Sequence, residues 1–216
     1  EAQAPGHELV FFVDMGLSQA LYDLIATTTE AQKFRSGAGA IMDVETGEII
    51  AMTSFPSYDP EVLADGDDRE RIQSYNTDAR FPYLNKVVSG LYTPGSIVKP
   101  FVAYGALKEK VIRPDKIIVS HGQIVIPNPY DPDNPAIFRD WRDSLGAMTI
   151  TDALAFSSNV FMMAIGGGYE DQRGLGITKL AEYYRLFGIG APTGIELMGE
   201  EEGVIPDPLW KKEVFD

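Results

Sequence analysis

The stretch Tyr92-Thr93-Pro94-Gly95-Ser96-Ile97-Val98-Lys99-Pro100-Phe101 sets a serine directly after a Pro-Gly turn and a lysine three residues beyond it. The apolar segment that continues to Leu107 is predicted to be helical, and Pro100 comes early enough to be tolerated in a first turn. Ser96 therefore falls at a helix N-terminus. Unpaired backbone N–H groups and the helix dipole favour negative charge there, so a serine can attack while its own amide helps to hold an oxyanion. The spacing puts Lys99 one turn further on the same face. Its apolar neighbours Ile97, Val98 and Phe101 are expected to desolvate the amine and lower its pKa toward neutrality. A neutral lysine can then remove the serine proton.

By itself, a serine three residues before a lysine is common and usually marks two exposed side chains on one helix face. The pattern gains meaning from Ser157-Ser158-Asn159 further along the chain. A second hydroxyl at Ser157 can relay protons between the lysine and a leaving group. The Asn159 amide offers a donor and an acceptor to a peptide-like substrate and to the lysine. Ser158, between them, is expected to point away. Taken singly, the same three residues suit a helix cap equally well.

Around these motifs the chain reads as one globular domain, or one with a small subdomain. Its 216 residues are 44% hydrophobic and 11% aromatic, enough to bury a substantial core. With 18 basic against 32 acidic residues the formal charge is −14, a field that repels phosphate backbones, so no nucleic-acid partner is expected. There is no cysteine, which removes disulfides and thiolate metal sites. The two histidines, His7 and His121, are too far apart for a local metal motif, and neither a metal nor a cofactor is expected. No run approaches the length needed to span a bilayer, and Glu1 to His7 do not form a signal peptide. Any anchor or leader is expected to have been removed or never to have existed.

Val10 to Val13 is predicted to be a strand, within about residues 8–14, leading into an amphipathic helix with Leu17, Leu21, Leu24 and Ile25 at helical spacing. Residues 38–54 hold two apolar runs joined at Gly47, a β-hairpin signal. The charged stretch from Asp65 to Arg71 reads as a solvated face or surface helix. Four prolines between Pro127 and Pro135 make that segment a loop, and its acidic pair does not match an EF-hand. Helical patterns at 149–154 and 160–165 meet at Ser157-Ser158-Asn159. Gly166-Gly167-Gly168 ends the second and lacks the lysine and serine of a phosphate loop. A last helix is predicted from about Thr178 to Phe187, stopping at Gly188.

The serine-x-x-lysine pattern followed by a second serine motif is the set found in β-lactamases and penicillin-binding proteins. The likeness is wider than these motifs. The segment Ala38 to Pro60 resembles the first strands of a class B penicillin-binding protein, as does Tyr92 to Phe101. Phe138-Arg139-Asp140-Trp141, Ala153 to Asn159, and Thr193 to Leu197 with Gly199-Glu200 continue the likeness in family order. The Asp-Trp pair is most like the elongation-type enzymes.

The resemblance covers roughly Glu8 to Trp210. It implies an α/β fold of the serine β-lactamase and penicillin-binding transpeptidase type, an antiparallel sheet flanked by helices. Residues 1–216 would then be a partial transpeptidase domain, with a helical subdomain at about 92–190. The implied activity is D,D-transpeptidation: a peptidoglycan stem peptide ending in D-alanyl-D-alanine acylates Ser96, and β-lactam antibiotics acylate the same serine. Ser96, Lys99 and Ser157 are the implied catalytic residues, with Asn159 binding substrate. Implied partners are a glycosyltransferase and other cell-wall elongation proteins, and the implied location is the extracytoplasmic face of the bacterial inner membrane.

Two departures stand out. The family's third motif, lysine-threonine-glycine on a core strand, does not follow the second motif here. Arg35-Ser36-Gly37 precedes the nucleophile, and Pro192-Thr193-Gly194 lacks the cation. Since that strand supplies an oxyanion-hole amide, these residues alone are expected to react about 100- to 1,000-fold more slowly, with the sheet edge unpaired or completed by another segment. Second, Ser144-Leu145-Gly146-Ala147-Met148 replaces a Gly-His-Gly type segment. A β-lactamase shares the serines and lysine, but the acidic Glu200-Glu201-Glu202 lacks the partner asparagine that class A enzymes need to activate water. A penicillin-binding fold used as a sensor or scaffold is the other alternative. The near match to a nucleophile elbow at Gly16-Leu17-Ser18-Gln19-Ala20 has only His121 downstream and is set aside.

Overall fold

The computed structural model describes residues 12–215. Two compact units are present, one running through Leu91 and including Glu196–Glu201, the other comprising Tyr92–Ile195 and the residues from Glu202 onward.

In the first unit the hairpin forms as its residue pattern predicts. Strand β1 (Gly37–Met42) pairs antiparallel with β2 (Ile49–Phe55), Ala40 facing Met52. The turn is an Asx turn: Asp43 Oδ1 accepts from the amides of Glu45 at 2.8 Å and Thr46 at 3.2 Å. Helix α1 (Met15–Ala31) starts at Asp14, whose carboxylate caps the Leu17 amide at 2.9 Å. It lies close on the hairpin because β1 offers glycines: a Cβ on Gly37 would sit 2.7 Å from Ile25 Cγ2. The strand predicted near residues 8–14 falls mostly outside the described residues. At its described end, the Asp14 amide donates to the Ile50 carbonyl at 2.8 Å. Among the described residues, β1 has β2 as its one strand neighbour.

Helices α2 (Pro60–Asp65) and α3 (Arg69–Thr77) follow, each capped by an aspartate, Asp59 and Asp68. The charged stretch from Asp65 to Arg71 spans the end of one and the start of the other and is exposed throughout. Residues 196–201 join this unit through Glu201, whose amide donates to the Val88 carbonyl at 3.1 Å.

The second unit is mainly helical. A 3-10 turn, Gly95–Val98, runs into α4 (Lys99–Lys108). After β3 (Ile118–Ser120), β4 (Gln123–Ile126), β5 (Ala136–Arg139) and β6 (Gly146–Met148) come α5 (Ile150–Ala155) and α6 (Asn159–Gly167). The strands form two short antiparallel ladders, β3 with β6 and β4 with β5, with the proline-rich loop between β4 and β5. The antiparallel sheet expected from the sequence is thus three separate two-stranded ladders among the described residues.

Helix α6 is the centre of this unit. Phe161 and Ile165 are fully buried and pack with Val102 and Ala106 of α4, Met148 of β6, and Ile150 and Ala153 of α5. The α6 helix ends where its glycines begin to release the chain, with Gly168 as cap at φ 91°. Helix α7 (Ile177–Leu186) crosses α4 at Gly105, where a Cβ would come 2.7 Å from the Tyr183 ring. Contrary to the sequence expectation, α7 is not the last helix: α8 (Pro208–Phe215) follows. Its signal was present in Asp207-Pro208. Asp207 Oδ1 accepts from the Trp210 amide at 2.8 Å, and proline suits a first helical position.

Candidate active site

Ser96 lies in the 3-10 turn directly after Gly95, which adopts φ 63°, and it is exposed. Lys99 opens α4 and is buried, 8% exposed. Its ammonium has three N–H donors, and all three find acceptors in one segment: the Ser157 carbonyl at 2.6 Å, Ser157 Oγ at 3.0 Å and Asn159 Oδ1 at 2.7 Å. The structure therefore brings Lys99, Ser157 and Asn159 together. Ser96 shares a cavity of about 530 Å³ with Lys99 and Asn159, whose walls include Val102, Ile124, Phe138 and Met162. Among the described residues the Ser96 hydroxyl makes no hydrogen bond to Lys99.

Burial pushes the Lys99 pKa below its usual value, while the negative charge of Asp140 acts in the opposite direction. The direction is the one expected from sequence, but the desolvating groups differ. Ile97 is 71% exposed, and Phe101 stacks on Phe187 at 4.8 Å between ring centres. Of the three neighbours named from the sequence, Val98 alone lines the cavity with Lys99. A residue two before Lys99 in a tight turn projects from a different side, which linear proximity cannot show.

The junction at 156–159 caps two helices and also supplies the acceptors of Lys99. Helix α5 ends in a Schellman motif, in which the Ser157 amide donates to the Leu154 carbonyl and the Ser158 amide to the Ala153 carbonyl. Ser157 occupies the left-handed position, φ 54°, where glycine is usual. Ser158 is the N-cap of α6, accepting from the Phe161 amide at 3.1 Å, and is fully buried. It points away from Lys99, as expected.

Sequence reasoning missed Asp140. The carboxylate, 8% exposed, accepts from the Ser120 hydroxyl at 2.6 Å, the Ser158 hydroxyl at 3.1 Å, the Asn159 amide and the Val160 amide at 3.1 Å. Its presence in Phe138-Arg139-Asp140-Trp141 was the available signal, used for likeness rather than for chemistry. The neighbouring Trp141 donates its indole N–H to the Phe156 carbonyl at 2.8 Å. No group of three or more His, Cys, Asp or Glu among the described residues is disposed to hold a metal ion.

A buried amine bound to a second hydroxyl, beside an exposed serine on a first helical turn, is equipment for acyl transfer through a serine ester. The chain belongs to the penicillin binding protein transpeptidase domain family, whose model matches residues 37–215. It is 30% identical to the peptidoglycan D,D-transpeptidase MrdA of Escherichia coli (strain K12) over 211 residues, 97% of this chain and 30% of that protein. The MrdA of Haemophilus influenzae gives the same figures. The fold matches a crystal structure of Pseudomonas aeruginosa PBP2 in complex with WCK 5153, with TM-score 0.78 and 29% identity over 97% of this chain and 44% of that one. Helicobacter pylori PBP2 in complex with MreC matches with TM-score 0.72 and 28% identity over 88% of this chain and 34% of that chain. The chain spans about 30% of the length of the curated relatives it matches. The α/β transpeptidase fold inferred from the motifs is thereby established.

Proposed function

We propose that this chain is the acyl-enzyme-forming part of a peptidoglycan D,D-transpeptidase of the elongation type. The observation that carries the reading is the set of hydrogen bonds from Lys99 to Ser157 and Asn159, beside a cavity that also holds Ser96. Ser96 is the nucleophile. Lys99, as the neutral amine, takes the hydroxyl proton as Ser96 Oγ bonds to the carbonyl carbon of the penultimate D-alanine. Collapse breaks the peptide bond, and the proton passes through Ser157 to the departing D-alanine amine. An amine of a neighbouring stem then attacks the ester, forming the cross-link and returning the proton to Ser96. Asn159 positions both substrate amide and lysine. A β-lactam opens on the same serine, the ring amide taking the place of the scissile bond.

The names of the relatives support peptidoglycan as the substrate and hence a site of action outside the cytoplasm, and the outer face of the bacterial inner membrane is the proposed location. Among the described residues no helix is long and apolar enough to cross a membrane. A glycosyltransferase and other cell-wall elongation proteins are the proposed partners; the Helicobacter pylori PBP2 structure, which is in complex with MreC, supports a protein partner of this kind.

The test is intact-protein mass spectrometry after exposure to penicillin, on the polypeptide that carries this chain at its natural length. A single long-lived adduct on the peptide holding Ser96, absent in Ser96→Ala, is expected. No adduct ends the enzymatic reading, rapid turnover makes the protein a β-lactamase, and an adduct without cross-linking of stem peptides makes it a sensor or scaffold.

A further inference from the structure

We propose that Asp140 is a positioning residue for the serine and lysine chemistry, holding the Ser157–Asn159 segment so that its three acceptors meet the Lys99 amine. The inference rests on the transpeptidase reading above.

A buried carboxylate without hydrogen-bonding partners is strongly disfavoured, and no salt bridge among the described residues involves Asp140. Four donors satisfy it instead: the hydroxyls of Ser120 and Ser158 and the amides of Asn159 and Val160. The two amides are the first of α6, whose N-terminal dipole favours an anion. The carboxylate therefore grips the chain from one residue beyond Ser157 onward. On the other side of Ser157, the Phe156 carbonyl is held by the Trp141 indole at 2.8 Å. Consecutive residues at the end of β5 thus pin both flanks of a serine held in a left-handed conformation, φ 54°. Such a conformation persists in a non-glycine residue when its surroundings over-determine it.

The Asp140 end of the clamp is itself held. Its amide donates to the Gly122 carbonyl at 2.8 Å, and the Gly122 amide donates to Ser120 Oγ at 3.1 Å. Gly122 stands at φ 85°, and a Cβ there would enter the backbone of Asp143, so the close approach requires glycine. Asp140 also supplies charge. The groups that Lys99 touches, Ser157 and Asn159, are neutral, and Arg139, the residue before Asp140, is exposed. Replacing the carboxylate by an amide keeps the shape and removes the negative charge that favours the ammonium form.

The test compares wild type, Asp140→Asn, Asp140→Ala and Ser96→Ala in the polypeptide at its natural length, with fluorescent penicillin as the acylating probe. Asp140→Ala is expected to slow acylation about 10- to 100-fold, the size of losing a charge-assisted anchor. Asp140→Asn should slow it less and move the rise of rate with pH toward lower pH. A second readout does not need acylation: the titration midpoint of the 13C-labelled Lys99 Cε, assigned with Lys99→Arg. In Asp140→Asn that midpoint should fall. A pocket that merely opened would raise it toward that of a solvated lysine. An unmoved midpoint and an unmoved pH profile, with only thermal stability reduced, would overturn the positioning role. Unlabelled wild-type protein with a lowered midpoint in Asp140→Asn would remove the transpeptidase reading while leaving the clamp intact.

Discussion

The backbone carbonyl of Ser157 lies 2.6 Å from Lys99 Nζ, closer than the Ser157 hydroxyl at 3.0 Å, and it does so because Ser157 adopts a left-handed backbone. One residue thus presents two different acceptors to the amine, and the backbone conformation is as much a part of the site as the side chain.

Replacing Ser157 by glycine or by alanine separates these two contributions. Both variants lose the hydroxyl proposed as the relay and should acylate about 100- to 10,000-fold more slowly with penicillin. Glycine relieves the left-handed strain while alanine keeps it, so Ser157→Gly should be about 1 kcal/mol more stable than Ser157→Ala in urea titrations. Equal midpoints for the two would show that the φ of 54° carries no strain.

Lys99 links stability to pH with a definite sign. Its folded-state pKa is lowered from 10.5, chiefly by burial. Between that lowered value and 10.5 the unfolded chain binds a proton that the folded chain does not, so this group makes stability rise with pH across the window. Below the window the full penalty of the buried charge stands. Lys99→Met should abolish this component, measured as the difference in melting temperature between variant and wild type against pH. It should also cut acylation by about 100- to 10,000-fold. A difference that stays constant across the window would contradict the buried-charge account.

Lys86 is a second buried lysine, 3% exposed, with a different task. Its Nζ donates to the Phe81 carbonyl at 2.9 Å and lies 3.4 Å from the Pro56 carbonyl and from Ser54 Oγ. These partners tie the end of β2 to the loop after α3. Lys86→Ala leaves the acceptors unpaired and should destabilise the protein by about 2 kcal/mol, with no direct effect on acylation per folded molecule. A loss below about 0.5 kcal/mol would mean that water replaces the ammonium without cost.

Asp78 reports on acid stability. The Arg80 guanidinium donates to both carboxylate oxygens, with Nη2 to Oδ2 at 2.6 Å, and the Arg80 amide adds a bond at 2.8 Å. Together they lower the Asp78 pKa from 3.8 to about 2. The associated stabilisation is present above pH 3.8 and disappears as pH falls through about 2. Carboxylate 13C NMR should find the midpoint near 2 in wild type and higher in Arg80→Ala, though still below 3.8 because the backbone amide at position 80 continues to donate. Matching midpoints would show that the fork does not persist in solution.

Local pattern was enough to establish much of this molecule. The hairpin over β1 and β2, the helices α1, α4 and α7, the proline loop and the glycine end of α6 all follow from periodicity and from the backbone limits of glycine and proline. These are properties of neighbouring residues, and a linear text contains them. The spacing of Ser96 and Lys99, with Ser157 and Asn159 beyond, likewise pointed to a nucleophile, a base and a relay, because helical geometry converts a spacing into a shared face. What the linear text could not contain is which distant segments meet. Asp140 became the anchor of α6 because β5 ends beside Ser120 and Ser158. Ile97 turned out to solvent while Val102 and Met162 lined the cavity with Lys99, and Ser157 took a backbone angle that serine disfavours. Burial, the charge acting on the amine and the tolerance of strain each depend on many contacts made at once, and only the assembled tertiary structure decides them.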